Sequence, residues 1–155
     1  MDINKIYQGD CMEVLKTFPD ESIDCVVTSP PYWAVRDYGK EEQIGLEEHP
    51  QEYINKIVAV MKECKRVLKP TGTIFLNLGD SFYTKSGSGQ GNNFLERHKQ
   101  LSEGRDSLKK AHTQTRGKFK SNWLQSKQSL LIPHRIAITM QDELGLICRN
   151  DLTCV

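Results

Sequence analysis

The sequence predicts an α/β protein with a largely parallel sheet. Three observations carry this expectation. Two short runs predict buried strands, Ile23–Thr28 (IDCVVT), which is β-branched and apolar, and Thr73–Leu78 (TIFLNL). Between them, residues 51–68 place Tyr53, Ile54, Ile57, Val60, Met61, Cys64 and Leu68 along one helical stripe. The elements alternate as β-α-β-α-β-loop-α-β, the order that builds parallel sheets.

In order along the chain, residues 4–8 (NKIYQ) predict a short first strand ended by Gly9-Asp10. Residues 11–18 put Met12, Leu15 and Phe18 at helical spacing, and Pro19-Asp20 closes that segment. The strand at 23–28 stops at a double proline, where two N–H donors are missing. After the helix at 51–68, Lys69-Pro70-Thr71-Gly72 predicts a turn into the next strand. Residues 133–144 predict a helix with Pro133 in its first turn and Gly145 as its C-terminal cap. Leu146–Val155 has strand character.

Residues 84–129 differ from the rest: polar, rich in Ser, Gly, Gln, Asn and Lys, and without period. Within 95–128, nine Lys and Arg face three acids, an excess of +6 in a chain whose net charge is +1. Loops this long inside a compact domain are functional or disordered. Lys109, Lys110, Arg116, Lys118 and Lys120, with Gln, Asn, His98, His112 and Trp123 nearby, suit an arm along a phosphate backbone. A solvated insertion is the competing reading. Gly87-Ser88-Gly89-Gln90-Gly91 lies in the same stretch with no helix after it, so flexibility explains it better than a phosphate or cofactor loop.

With 155 residues, the chain has the length of one domain. No apolar run approaches the ~20 residues of a membrane span, and MDINKIYQGD has no apolar signal core. Five scattered cysteines, with no zinc-type spacing, predict free thiols, no metal site and a reducing compartment, the cytoplasm.

The sharpest feature is Val27-Thr28-Ser29-Pro30-Pro31-Tyr32-Trp33, at the C-terminal end of a predicted strand. Open α/β sheets hold their ligands at such ends. Consecutive prolines make a rigid turn and leave carbonyls as acceptors without competing donors. Tyr32 and Trp33 add flat faces beside them. A planar heterocycle bearing an amine suits this loop, stacked on Tyr32 with its NH₂ bonded to the Pro30 carbonyl and Ser29 Oγ. A plain proline turn with aromatic packing is the alternative.

This stretch resembles motif IV of the amino-methylating DNA methyltransferases, and the form with Thr-Ser before Pro-Pro-Tyr is typical of those making N4-methylcytosine. Further segments resemble the family: Tyr7-Gln8-Gly9-Asp10-Cys11, Tyr32-Trp33 through Arg36-Asp37-Tyr38-Gly39 to Gln43-Ile44-Gly45, Val67-Leu68-Lys69-Pro70-Thr71-Gly72-Thr73, Phe75 to Ser81, and Ile132-Pro133-His134-Arg135-Ile136-Ala137. The resemblance implies a Rossmann-like S-adenosylmethionine-dependent methyltransferase fold and a restriction–modification or phage role. It implies a base flipped out of double-stranded DNA, because its amine is unreachable in the stack. Ser29, Pro30, Pro31 and Tyr32 would be catalytic, and Trp33 a DNA contact. Asp10, Thr28 and Asp80 would hold the cofactor, Asp10 facing its adenosine; a helix N-cap for Asp10 and a turn for Asp80 remain open.

The chain departs from the family in lacking a Phe-x-Gly-x-Gly cofactor loop. The expectation is therefore an incomplete sheet over residues 1–155, the C-terminal half with the cofactor loop being absent. A complementing methyltransferase chain or a homodimer would complete it. An N6-adenine enzyme, or a fragment that binds DNA and is inactive alone, are the alternatives. A protein or RNA amino-methyltransferase is more distant.

Overall fold

The computed structural model describes residues 4–35, 37–40, 42–83 and 124–152. Among the described residues, five elements follow one another: α1 (Cys11–Lys16), β1 (Ile23–Thr28), α2 (Pro50–Val67), β2 (Leu68–Leu76) and α3 (Ile132–Leu144). The strands pair in parallel through α2, which is the α/β arrangement expected. The described residues of Met1–Pro30, Ile54–Leu78 and Ile132–Val155 form one compact unit, and those of Pro31–Tyr53 and Gly79–Leu131 form a second.

In the first unit, Asp10 starts α1: its Oδ1 accepts from the Met12 and Glu13 amides at 2.9 and 3.3 Å, relieving two of the donors that every helix start leaves unpaired. The Arg66 guanidinium gathers the other end of this segment. It donates to the Leu15 and Phe18 carbonyls at 2.8 and 3.0 Å, to Glu63 at 2.9 Å, and to Asp20. The planar fork of arginine suits such divided bonding. The core of this unit comes from Ile54, Ile57, Val58, Met61, Cys64 and Val67 on α2, with Ile132, Ile136, Met140 and Leu144 on α3. The stripe on α2 made that helix legible, whereas α3 was legible from Pro133 and Gly145. Gly145, at φ +61°, closes α3 with its amide bonded to the Gln141 carbonyl at 3.0 Å.

Four expectations differ from what is found. Residues 4–8 are not a strand: Ile6 is 94% exposed, and no described element offers the ladder that a strand needs. Residues 146–152 are likewise not a strand, and 153–155 lie outside the described residues. The face of β1 and β2 carrying Cys25, Val27, Thr73 and Phe75 is open. Val27 and Phe75 are register partners, 76% and 56% exposed, so the apolar run of β1 reports a cover that no described element supplies. Finally, Lys69–Gly72 lies inside β2 as a bulge. Ile23 pairs with Leu68 and Cys25 with Thr73, an advance of two residues against five. Pro70 is tolerated there because bulged residues need not donate to the ladder. Gly72 allows the close approach: a Cβ at that position would lie 2.6 Å from Leu68 Cγ and 3.0 Å from the Asp24 carbonyl.

In the second unit, residues 124–131 lie beside Ser81–Tyr83. Phe82 and Ser129 form an antiparallel bridge, Leu130 donates to the Ser81 carbonyl at 2.9 Å, and Tyr83 exchanges bonds with Lys127 and Gln128. Leu124, Leu130 and Tyr83 are buried there. The basic residues Lys109, Lys110, Arg116, Lys118 and Lys120, and the glycines at 87–91, lie outside the described residues.

Candidate functional site

The loop of interest leaves the C-terminal end of β1. Thr28 pairs with Leu76, and the Asn77 amide donates to the Thr28 carbonyl at 2.9 Å. Both parallel strands therefore end together, with Ser29-Pro30 continuing one and Asn77-Leu78 the other. Ser29 is exposed and Pro30 half-buried. Asn77, exposed at the adjacent strand end, was not singled out for a role by the sequence; its place became visible only through the register.

Pro31 and Tyr32 begin the second unit, where a set of polar contacts fixes the loop. Tyr53, from the first turn of α2, donates its hydroxyl to the Pro31 carbonyl at 2.9 Å. Burial, then the Glu47 carboxylate and Tyr32, push the Tyr53 phenol well above its usual range, so it stays a neutral donor at any working pH. Trp33, expected as a DNA contact, is 6% exposed, and its indole Nε1 donates to the Glu47 carbonyl at 3.0 Å. So placed, it braces the loop from inside instead of presenting its face.

Glu47 is itself buried and accepts from the Gly45 amide at 2.9 Å. The Ala34 amide in turn donates to the Gly45 carbonyl at 2.8 Å. Ala34 has φ +59°, a left-handed conformation costing roughly 1–2 kcal/mol for a residue with a Cβ. The hydrogen bonds around it hold the strain in place.

Tyr32 is half-buried, and Gly79 lies against its ring: a Cβ there would come within 2.7 Å of Cδ2 and 2.9 Å of Cε2. Ser81 Oγ donates to the Trp33 carbonyl at 3.2 Å. Asp80 accepts from Ser129 Oγ and, at 3.1 Å, from the Leu131 amide, bonds that tie it to residues 49 and 51 positions further along rather than to a local turn.

Asp10, in the first unit, is exposed at the edge of an open depression lined by Tyr7, Gly9, Asp10, Glu13, Val14 and Thr17. Both of its helix-capping bonds fall on Oδ1. An ionised carboxylate has about four lone-pair sites, so capping and binding a hydroxyl are compatible. Among the described residues there is no group of three or more His, Cys, Asp or Glu that could hold a metal, and no helix long and apolar enough to cross a membrane.

A family model for DNA methylases of the N6/N4 type matches residues 23–152. The chain belongs to this DNA methylase family. The match takes in β1, the double-proline loop, both long helices and β2. Among curated relatives, the chain is 38% identical over 146 residues to the type II methyltransferase M.SfiI of Streptomyces fimbriatus, covering 94% of this chain and 28% of that protein. It is 35% identical over 147 residues to M.Cfr9I of Citrobacter freundii, covering 95% of this chain and 44% of that protein. To M.SmaI of Serratia marcescens it is 34% identical over 148 residues, covering 96% and 46%. The chain thus spans less than half the length of these relatives. A solved PvuII DNA methyltransferase, titled cytosine-N4-specific, superposes with a TM-score of 0.49 at 22% identity, over 90% of this chain and 33% of that one.

Proposed function

We propose that this chain carries the catalytic loop of a DNA methyltransferase that moves a methyl group from S-adenosylmethionine to the N4 amine of a cytosine flipped out of double-stranded DNA. The observation that carries the reading is the placement of Ser29-Pro30-Pro31-Tyr32 immediately after β1, at the C-terminal end of a parallel strand pair, in a member of the DNA methylase family. The Thr28-Ser29 form of the motif favours cytosine over adenine.

The chemistry follows from the residue types. The amine of cytosine is a poor nucleophile because its lone pair is delocalised into the ring. Ser29 Oγ and the Pro30 carbonyl accept its N–H bonds and favour a more tetrahedral nitrogen with the lone pair localised on it. Tyr32 stacks on the flipped base, which is read by stacking and by its hydrogen-bonding edge. S-adenosylmethionine, when bound, supplies an electrophilic sulfonium methyl. Asp10 suits the ribose end of that molecule, being an exposed carboxylate beside an open depression; Thr28 and Asp80 are proposed as further contacts. Orientation and electrostatics supply the rate, and no covalent cysteine intermediate is needed. The basic residues Lys109, Lys110, Arg116, Lys118 and Lys120 are proposed to follow the DNA backbone, in the cytoplasm.

The share of each relative that the chain covers favours a second element of the reading. A further polypeptide segment, or a complementing chain, supplies the remaining strands and the glycine-rich cofactor loop.

Transfer of a tritiated methyl group to DNA tests the loop's role. The chain is assayed alone and with the part of M.Cfr9I that it does not match. Ser29→Ala should slow transfer by about 10²- to 10³-fold, the usual effect of removing one group that stabilises developing charge. An unchanged rate would remove Ser29 from the mechanism.

A further inference from the structure

The second unit holds a frame around Pro31–Ala34 that the proposed chemistry does not use directly. Tyr53 is 1% exposed and spends its only hydroxyl on the Pro31 carbonyl at 2.9 Å. A phenol O–H is one donor, and Pro31, lacking an N–H, has only its carbonyl to offer. On the next residue, Gly79 meets the Tyr32 ring so closely that any side chain would overlap Cδ2, Cε2 and Cγ, at 2.7, 2.9 and 3.3 Å from the added carbon. Gly45 closes the backbone side: a Cβ there would sit 3.1 Å from the Tyr32 carbonyl and 3.4 Å from Pro31 Cβ. Trp33 then locks to the Glu47 carbonyl at 3.0 Å.

We infer that Tyr53 and Gly79 are positioning residues that set where Tyr32 stands, Tyr53 by fixing the Pro31 peptide and Gly79 by backing the ring. This inference rests on the proposed reading of Tyr32 as the stacking residue for the flipped base. A stacking ring orients the base only when its own plane is fixed. Tyr53 holds the peptide that carries the ring, and Gly79 leaves the ring the space it occupies. The geometry assigns to Gly79 a requirement that neither a turn nor a left-handed conformation imposes, since the limit is the space left by the Tyr32 ring. It assigns to Tyr53 a role separable from core packing, because Tyr53→Phe keeps the ring in the core and removes only the hydroxyl.

The test pairs kinetics with a spectroscopic readout. In methyl transfer at saturating DNA, Tyr53→Phe should lower kcat about tenfold and Gly79→Ala about a hundredfold, the scale expected for misplacing a reacting group by an ångström. KM for S-adenosylmethionine should stay unchanged, which a general loss of folded protein would not explain once the active fraction is titrated. In parallel, 3-fluorotyrosine placed only at position 32 reports the ring by fluorine NMR. Gly79→Ala should shift the resonance, and Tyr53→Phe should split or broaden it. Parent-like kcat in both variants, or an unmoved fluorine resonance in both, overturns the inference. Where the parent transfers no methyl group either alone or with the unmatched part of M.Cfr9I, the reading of function fails, and the fluorine spectra alone decide whether the frame exists.

Discussion

Cys64 illustrates how one burial decides a residue's chemistry. It lies in the core stripe of α2, and burial, with smaller contributions from Cys11 and Glu63, pushes its thiol up to about 11. The thiolate is the reactive form, so at pH 8 Cys64 should alkylate far more slowly than the exposed Cys25 and Cys148. The lag should shrink as pH rises toward 11 and vanish in denaturant. Mass-spectrometric mapping of iodoacetamide adducts measures this, and equal native rates would contradict the burial. Reactivity of this kind was legible in advance only as a general expectation of buried free thiols, since spacing does not reveal which cysteine enters the core. Trp33 shows the same limit. Its place beside a proline loop was visible in the sequence, but not that the Glu47 carbonyl, fourteen residues on, would receive its N–H. Asp10 was the opposite case, because an acid just before a helical run satisfies the helix start by itself.

Among the elements, the β2 bulge makes the clearest energetic prediction. Gly72→Val places a branched side chain where even a Cβ meets Leu68 and the Asp24 carbonyl, and should cost about 1–3 kcal/mol, as overpacked sites do. Ile136→Ala on α3, at a fully buried position, should cost about 2–5 kcal/mol through lost contacts and a residual cavity. Urea titrations of the two variants measure both, and parent-like midpoints would place these residues outside the core. Helices were legible almost to the residue because a 3.6 period, Pro133 and Gly145 mark them locally. Strands were less so, because a strand is defined by its neighbour. Asn4–Gln8 and Leu146–Leu152 have suitable composition and form no strand, whereas Lys69–Gly72 reads as a turn and is carried into β2 by pairing on either side. The loop motif itself was legible; its frame was not, since Tyr53 reads as a helix-stripe residue and Gly79 as an ordinary strand-end glycine.

For the molecule as a whole, the family is established by the match over residues 23–152, and the face of the strand pair that carries Val27 and Phe75 is open among the described residues. Apolar residues on a strand face favour cover, which agrees with the proposed further segment or complementing chain. The central claim is the transfer of a methyl group to cytosine N4. Unmethylated genomic DNA is incubated with S-adenosylmethionine and the chain, alone and with the unmatched part of M.Cfr9I, then digested to nucleosides for mass spectrometry. The account predicts N4-methylcytosine in at least one of the two reactions. N6-methyladenine, or no methylated base in either reaction, would contradict it.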